Sequence, residues 1–572
     1  MAPTADLGRR LAVARGDEPA DLVLRGGRVL SVFTREWLRC DVAVVDGVVA
    51  GLGEYEGHEV LDVSGRFVAP GLIDAHVHLE TSKLVPSEFA RLVLPLGTTA
   101  VVADPHELAN VLGTDGVHWL VDVCAELPLD VFFTASSCVP ASEYESPRRP
   151  FGVGDLQGLL RRRRVIGLAE MMNFPGVIGG DPRELEKLGV EGADHVDGHA
   201  PGVLGKALQA YAAAGIRSDH EASKLEEGRE RLRAGMWLLI REASAARNLR
   251  ALVPLVAEFG PARMAFCTDD REPEHIAHDG HLNAIVRDAV ALGVSPADAL
   301  TMASHHPALW HRLPHLGAVA PGYQADLLVF PDLERFVPDL VLKRGRPVEE
   351  IPQTPVPEWV RQSVRLQPVT AETFRVPWDG GAARVIGIVP GQIVTEALVE
   401  ELPATDGAAV ADPPRDLAKI AVVERHLGTG RAGVGFVRGF GLRCGAIAST
   451  FAHDAHNLVV VGVSDEEMAL AARRVEELGG GLVVVDGERV AAELPLPLAG
   501  LMSDLPLAEV IAASEATVEA ARALGSELES PFQSLAFLAL SVIPSLKITD
   551  RGLVDVDAFR IVPLAAESLV PG

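Results

Sequence analysis

Pro70-Gly-Leu-Ile-Asp-Ala-His-Val-His-Leu-Glu80 is the stretch on which the fold of this chain turns. An apolar, β-prone run ending in His-x-His puts His76 and His78 on one face of a strand, because strand side chains alternate with a period of two. Two neutral imidazoles converging at a strand end can hold a divalent ion. On their own they read first as a half-buried pair that satisfy each other's hydrogen bonds. Acids and histidines farther along decide between these readings.

Beyond Pro70 short apolar runs alternate with helical patterns. Ala100-Val-Val-Ala, Val131-Phe-Phe-Thr and Val165-Ile-Gly-Leu-Ala predict strands, and Ser87 to Leu94, Gly205 to Ala214 and Leu225 to Leu232 predict helices. Repeated strand-then-helix alternation predicts an α/β fold, a TIM-like (β/α)8 barrel over residues 69–315. Barrel active sites form at the carboxyl ends of the strands. Glu170 closes Val165-Ile-Gly-Leu-Ala-Glu, His199 closes Val196-Asp-Gly-His, His220 closes Ile216-Arg-Ser-Asp-His, and Asp269 follows Met264-Ala-Phe-Cys-Thr. With His76 and His78 these supply enough donors for two adjacent divalent ions that share a solvent molecule. Such solvent ionises far below bulk water, and a nearby carboxylate, here Asp269, can accept its proton and return it to a leaving nitrogen. Hydrolysis of a C–N bond follows. The donors leave open an amide, a cyclic amidine or an aromatic ring carbon.

The flanks have a different texture. Between Asp21 and Val68, pieces such as Leu22-Val-Leu, Val42-Ala-Val-Val and Val48-Val-Ala are punctuated by Arg25-Gly-Gly and Asp46-Gly turns, which reads as hairpins of a small β domain, residues 1–68. Gly317-Ala-Val-Ala-Pro-Gly-Tyr-Gln-Ala-Asp-Leu-Leu-Val-Phe returns to strands. Residues 316–350 would therefore complete a small N-terminal β-sandwich into which the barrel is inserted. Pro352 to Pro357 reads as a linker within residues 351–360. From about 361 to 572, Val385-Ile-Gly-Ile-Val, Ile420-Ala-Val-Val and Leu458-Val-Val-Val-Gly interleave with helical patterns at Asp465 to Leu478 and Leu507 to Leu524, a C-terminal α+β domain.

Bulk properties narrow the partners. A net charge of −27 over 572 residues has the wrong sign for nucleic acid or an anionic membrane. The run Arg161 to Arg164 reads as a solvated face. Cys40, Cys124, Cys138, Cys267 and Cys444 are dispersed without a Cys-x-x-Cys, as expected of reduced thiols in a cytoplasmic protein. No secretory h-region and no apolar run near the length of a membrane span is visible. A homo-oligomer, dimer or larger, is expected.

Longer phrases carry a resemblance. Asp104-Pro-His-Glu-Leu-Ala-Asn-Val-Leu-Gly, Ser137-Cys-Val-Pro-Ala, Gly167-Leu-Ala-Glu-Met-Met-Asn-Phe-Pro-Gly, Asp197-Gly-His-Ala-Pro-Gly, Arg217-Ser-Asp-His-Glu and Cys267-Thr-Asp-Asp-Arg are similar to the bacterial adenine deaminase family of the amidohydrolase superfamily. The likeness continues through Gly439-Phe-Gly-Leu-Arg-Cys-Gly-Ala-Ile-Ala-Ser, His453-Asp-Ala-His-Asn and Gly500-Leu-Met-Ser-Asp, nearly the whole chain. It implies hydrolysis of adenine, a purine base, to hypoxanthine and ammonia. It also implies that His76, His78, Glu170, His199, His220 and Asp269 hold two divalent ions, manganese or iron, with zinc as a third option. Glu170 would bridge them where many relatives use a carboxylated lysine. His106 and Glu107, on the following strand end, either contact the purine or steady a ligand. Asp270, His453 and His456 are expected at the substrate. Glu80 and Glu221, each just beyond a ligand, are both candidates to protonate a ring nitrogen.

The cluster His453-Asp-Ala-His-Asn457 is either a structural turn, a cover over the barrel mouth, or a contribution to a neighbouring subunit's site. Three phrases depart from the family pattern: Glu80-Thr-Ser keeps a hydroxyl, Arg241-Glu-Ala-Ser loses a glycine, and Ala303-Ser-His-His-Pro adds paired histidines at the packing or the pocket rim. Two rivals stand beside this reading. One is another binuclear amidohydrolase, acting on a substituted aminopurine or a cyclic amide. The other is a catalytically silent barrel kept as a scaffold.

Overall fold

The computed structural model describes residues 4–566. Eight parallel strands lie at its centre: β1 (Leu72–Val77), β2 (Thr98–Ala103), β3 (Asp130–Ala135), β4 (Val165–Met171), β5 (Val196–Gly198), β6 (Ser218–Asp219), β7 (Trp237–Arg241) and β8 (Met264–Cys267). Strands β1 to β5 form one sheet in chain order and β6 to β8 another. The seams close the ring. Asp269 N donates to His76 O at 3.0 Å and His78 N to Asp269 O at 3.3 Å on one side, while Arg217 N reaches Val196 O at 3.4 Å on the other. Strands covered on both faces must be apolar throughout, which is why they read as continuous runs rather than as alternation.

One expectation changes here. His106 and Glu107 do not end a strand; they open the helix His106–Cys124, three residues beyond the end of β2. Pro105 precedes that helix, and the Asp104 carboxylate accepts from His106 N at 3.1 Å, so the chain turns before the pair instead of after it.

The N-terminal strands divide between two sheets. Ala20–Arg25 lies with Asp41–Val45, Val48–Gly53 and Gly57–Asp62, whereas Arg28–Ser31 lies with Glu36–Arg39 and Phe67–Pro70. Arg25-Gly-Gly therefore carries the chain from one sheet to the other and is not the hairpin expected there. Asp46-Gly47 is a true hairpin turn, both residues in the left-handed region at φ 51° and 75°. Leu327–Phe330 pairs antiparallel with Phe67–Pro70, so the strands after the barrel extend a sheet begun before it. Leu24, Val44, Val68 and Leu327 share one core between the two sheets. A helix at Thr4–Arg15, unforeseen in the sequence, packs beside the Asp41–Val45 and Val48–Gly53 strands.

The segment after Arg346–Pro347 is irregular but held. Ser87 and Thr354 exchange two hydrogen bonds, and Trp119 Nε1 donates to Pro355 O at 3.0 Å, tying it to barrel helices. Beyond it an eight-stranded sheet runs from Thr395–Glu401 at one edge to Arg489–Pro495 at the other, antiparallel except where Ala382–Ile388 meets Ala432–Arg438. Helices Asp465–Glu477 and Leu507–Ala523 pack on it. No helix among the described residues is long and apolar enough to cross a membrane.

Candidate metal centre

The strand ends bring five of the six expected donors into contact around the sixth, Glu170. Glu170 Oε1 lies 3.5 Å from His76 Nε2 and 3.4 Å from His78 Nε2. Asp269 Oδ1 lies 3.6 and 3.1 Å from the same two nitrogens, which are 3.2 Å apart. The other oxygen, Glu170 Oε2, faces away from this group, 2.8 Å from His199 Nδ1 and 3.4 Å from His220 Nε2. Donors set around one ion by bonds of about 2.1 Å stand about 3.0–3.4 Å apart. The spacings in the two groups, 2.8 to 3.6 Å, centre on that size, and Glu170 presents one oxygen to each.

Hydrogen bonding sets these atoms apart from an ordinary buried network. Glu170 Oε2 and His199 Nδ1 are close and buried, yet neither has a hydrogen-bond partner. Close as they are, their mutual orientation does not make a hydrogen bond, so both atoms remain open to a shared ligand. Unpaired buried polar atoms are costly, so a set of them gathered at one spot fits a site for a cation. His78 adds the matching outer contact: its Nδ1 donates to Asp104 O at 3.0 Å, leaving Nε2 for the cluster.

Charge within the cluster is uneven. Burial opposes ionisation of Asp269, but the Arg241 guanidinium and the His76 and His78 imidazoles outweigh it and hold the carboxyl well below the usual range. Glu170 is likewise held low against burial, by His220, His199 and His76. Arg241 was not foreseen, although it closes β7 and the strand-end rule that found the donors points to it equally. Its Nη1 donates to Asp269 Oδ2 at 2.7 Å and to Glu221 Oε1, and Nη2 donates to Glu221 Oε2 at 3.1 Å. Glu221 Oε1 is also 3.6 Å from His199 Nδ1 and 3.5 Å from His220 Nε2.

Next to the donors is a cavity of about 20 Å³ lined by His106, Glu107, Glu221, Asp270, His453, Asp454, Met172, Phe537, Leu540 and Ile543. Besides the donor His76, two of the expected residues do not line it, Glu80 and His456. Glu80 stands behind Glu107, its Oε1 accepting from Leu108 N at 3.1 Å, and burial with the Glu107 charge pushes its carboxyl up to about 7. His456 also backs Glu107: its Nδ1 accepts from Ala452 N, so its Nε2–H donates to Glu107 Oε2.

The 453–457 segment therefore covers the mouth of its own barrel. His453 stacks on Phe537 with ring centroids 4.5 Å apart, and its Nε2 is 3.6 Å from Asp270 Oδ2. Phe537, Leu540 and Ile543 carried no signal in the sequence, being ordinary apolar residues distant along the chain. The departures from the family pattern also find their places. Thr81 Oγ1 donates to Asp270 Oδ1 at 2.5 Å, so the retained hydroxyl is used beside the cavity. Ala243 does not line the cavity. His306 Nδ1 meets Met264 O at 2.7 Å, at the first residue of β8 rather than at its carboxyl end, and His305 packs edge-on against Phe33, so the paired histidines belong to packing.

Residues 67–348 match the amidohydrolase family and residues 392–560 the adenine deaminase C-terminal domain. The chain is 46% identical over 572 residues to adenine deaminase 2 of Carboxydothermus hydrogenoformans, covering 99% of this chain and 100% of the relative. It is 49% identical over 566 residues to adenine deaminase of Methylobacterium nodulans, covering 97% and 99%. It is 48% identical over 551 residues to adenine deaminase of Brucella suis biovar 1, covering 96% and 95%.

Proposed function

Because the chain belongs to the adenine deaminase family, we propose that it hydrolyses adenine to hypoxanthine and ammonia with two divalent ions that His76, His78, Asp269, His199 and His220 would hold, with Glu170 shared between them. The observation that carries this reading is the division of the Glu170 carboxylate, one oxygen toward His76, His78 and Asp269 and the other toward His199 and His220. Nitrogen and carboxylate donors in this mixture suit manganese, iron or zinc, and manganese or iron is our assignment. When bound, the ions lower the pKa of water and neutralise charge that develops at the reacting carbon.

The chain's own residues then account for the protons. Water adds to the amine-bearing carbon of the ring, and one of its protons must reach the adjacent ring nitrogen. Glu221 faces the cavity and Glu80 does not, so Glu221 takes that proton and passes it to the ring. The second proton leaves the new hydroxyl as the carbonyl forms. Asp269 accepts it and delivers it to the departing nitrogen, which leaves as ammonia. Arg241 grips both carboxylates and keeps them aimed at the same carbon.

Asp270 and His453 are suited to the ring edge, with Met172, Phe537, Leu540 and Ile543 against its faces. A volume of about 20 Å³ has room for a water but not for a purine, so the covering side chains must move for adenine to enter. The test is the loss of adenine absorbance with one ammonia released per purine. Ammonia release from another aminopurine or ring opening of a cyclic amide, with adenine untouched, would overturn the reading.

A further inference from the structure

A second group of buried donors lies beside the cavity, outside the Glu170 cluster. His106 Nε2 is 3.4 Å from Glu107 Oε1 and 3.7 Å from Asp454 Oδ1. His453 Nδ1 is 2.8 Å from the same Glu107 oxygen and 3.7 Å from the same Asp454 oxygen. Two imidazoles and two carboxylates thus alternate around one point, with spacings close to those of the Glu170 groups. All four residues are buried, none more than 2% exposed.

Three features show that these atoms face a common centre and not one another. Glu107 Oε1 lies 2.8 Å from His453 Nδ1 and still has no hydrogen-bond partner, the same pattern as Glu170 Oε2 and His199 Nδ1. His106 Nδ1 donates to Asp104 Oδ2 at 2.8 Å, and Asp104 is fixed in turn by Ser136 Oγ at 3.0 Å, so only Nε2 is left for a ligand. A carboxylate behind an imidazole is the usual support of a metal-binding histidine. Finally, His456 occupies Glu107 Oε2, which turns Oε1 into the cluster.

We propose that His106 Nε2, Glu107 Oε1, His453 Nδ1 and Asp454 Oδ1 bind a third divalent cation of the manganese, iron or zinc class. Two of the donors begin the helix after β2 and two come from the 453–457 segment. The ion would therefore clamp the C-terminal cover onto the barrel mouth, beside the reacting pair and separate from it. His453 would serve twice, Nδ1 on the ion and Nε2 toward Asp270 at the substrate. The proposal does not depend on adenine being the substrate.

The test is anomalous diffraction from crystals of the full-length protein equilibrated with saturating manganese(II), together with a count of manganese per chain in solution. Three peaks are expected, two flanking Glu170 and one among the four donors. In Asp454→Ala and Glu107→Gln the third peak should vanish and the count fall from three to two, with both Glu170 peaks kept. Two peaks in the unaltered protein, with water or nothing among the four donors, would overturn the proposal. So would a third peak that survives in Asp454→Ala. Loss of the Glu170 peaks alone would instead count against the bridged pair and leave the third site standing.

Discussion

Arg241 and Asp269 meet through Nη1 and Oδ2 at 2.7 Å, which leaves Oδ1 of the same carboxylate facing His76 and His78. One oxygen is anchored and the other is available, a division that parallels Glu170. Arg241 is buried and also grips Glu221, so it neutralises two buried acids at once. Removing it should leave both uncompensated. We expect Arg241→Met to lower unfolding stability by about 3–5 kcal/mol, read from denaturant midpoints. A loss below about 1 kcal/mol would mean that the two acids are satisfied elsewhere.

Asp269→Asn keeps the shape of the side chain but removes the proton acceptor. The kcat for adenine should fall by about 10²–10⁴-fold, with KM changed far less. Steady-state kinetics on enzyme whose metal content has been measured separates this from simple ion loss. Unchanged kcat would remove Asp269 from proton transfer.

Glu170→Gln replaces a bridging anion by a neutral amide. Metal content should drop and turnover should fall by more than about 100-fold, beyond the usual cost of losing a contact outside the ligand shell. Elemental analysis and the adenine assay on one preparation check both. Retention of two tightly held ions would contradict the bridge.

Phe537 stacks on His453 and caps the cavity from the C-terminal part of the chain. In Phe537→Ala the KM for adenine should rise by about 10-fold, the equivalent of about 1.4 kcal/mol, with kcat affected less. Equal losses in kcat and kcat/KM would instead assign Phe537 to the transition state.

Lys547 supplies a pH dependence that is separate from the metal donors. Burial lowers its ammonium from the usual 10.5 to about 7, while Nζ donates to Ile393 O and to Phe537 O at 2.8 and 2.9 Å. Between these values the unfolded chain carries a proton that the folded chain lacks. Stability should therefore rise with pH across that window, at most by about 1.4 kcal/mol per unit. The rise is measured as the difference between the unaltered protein and Lys547→Met. A difference that is flat with pH would show the amine to be charged in the folded state.

Much of the barrel was legible because buried parallel strands are continuous apolar runs, and their ends are marked by residues such as Glu170, His199 and His220. Arg241 was equally marked but is a cation, so a search for metal donors passed over it. The crossover at Arg25-Gly-Gly shows another limit: a turn signal says where a strand stops, not which sheet receives the next one. Glu80 and Glu221 have the same local context, each directly after a predicted ligand or one residue beyond it. Only the packing of Leu108 behind Glu80 and of Arg241 against Glu221 separates them. The cover formed by His453, Phe537 and Ile543 depends on contacts across hundreds of residues, and apolar side chains carry no local sign of such a partner.

The most direct test of the bridged pair is to strip the protein of metal with a chelator and measure deamination of adenine before and after manganese(II) is returned. We expect no turnover in the stripped protein, and recovery of equal amounts of hypoxanthine and ammonia once manganese is restored. Full turnover with no detectable metal would contradict the account.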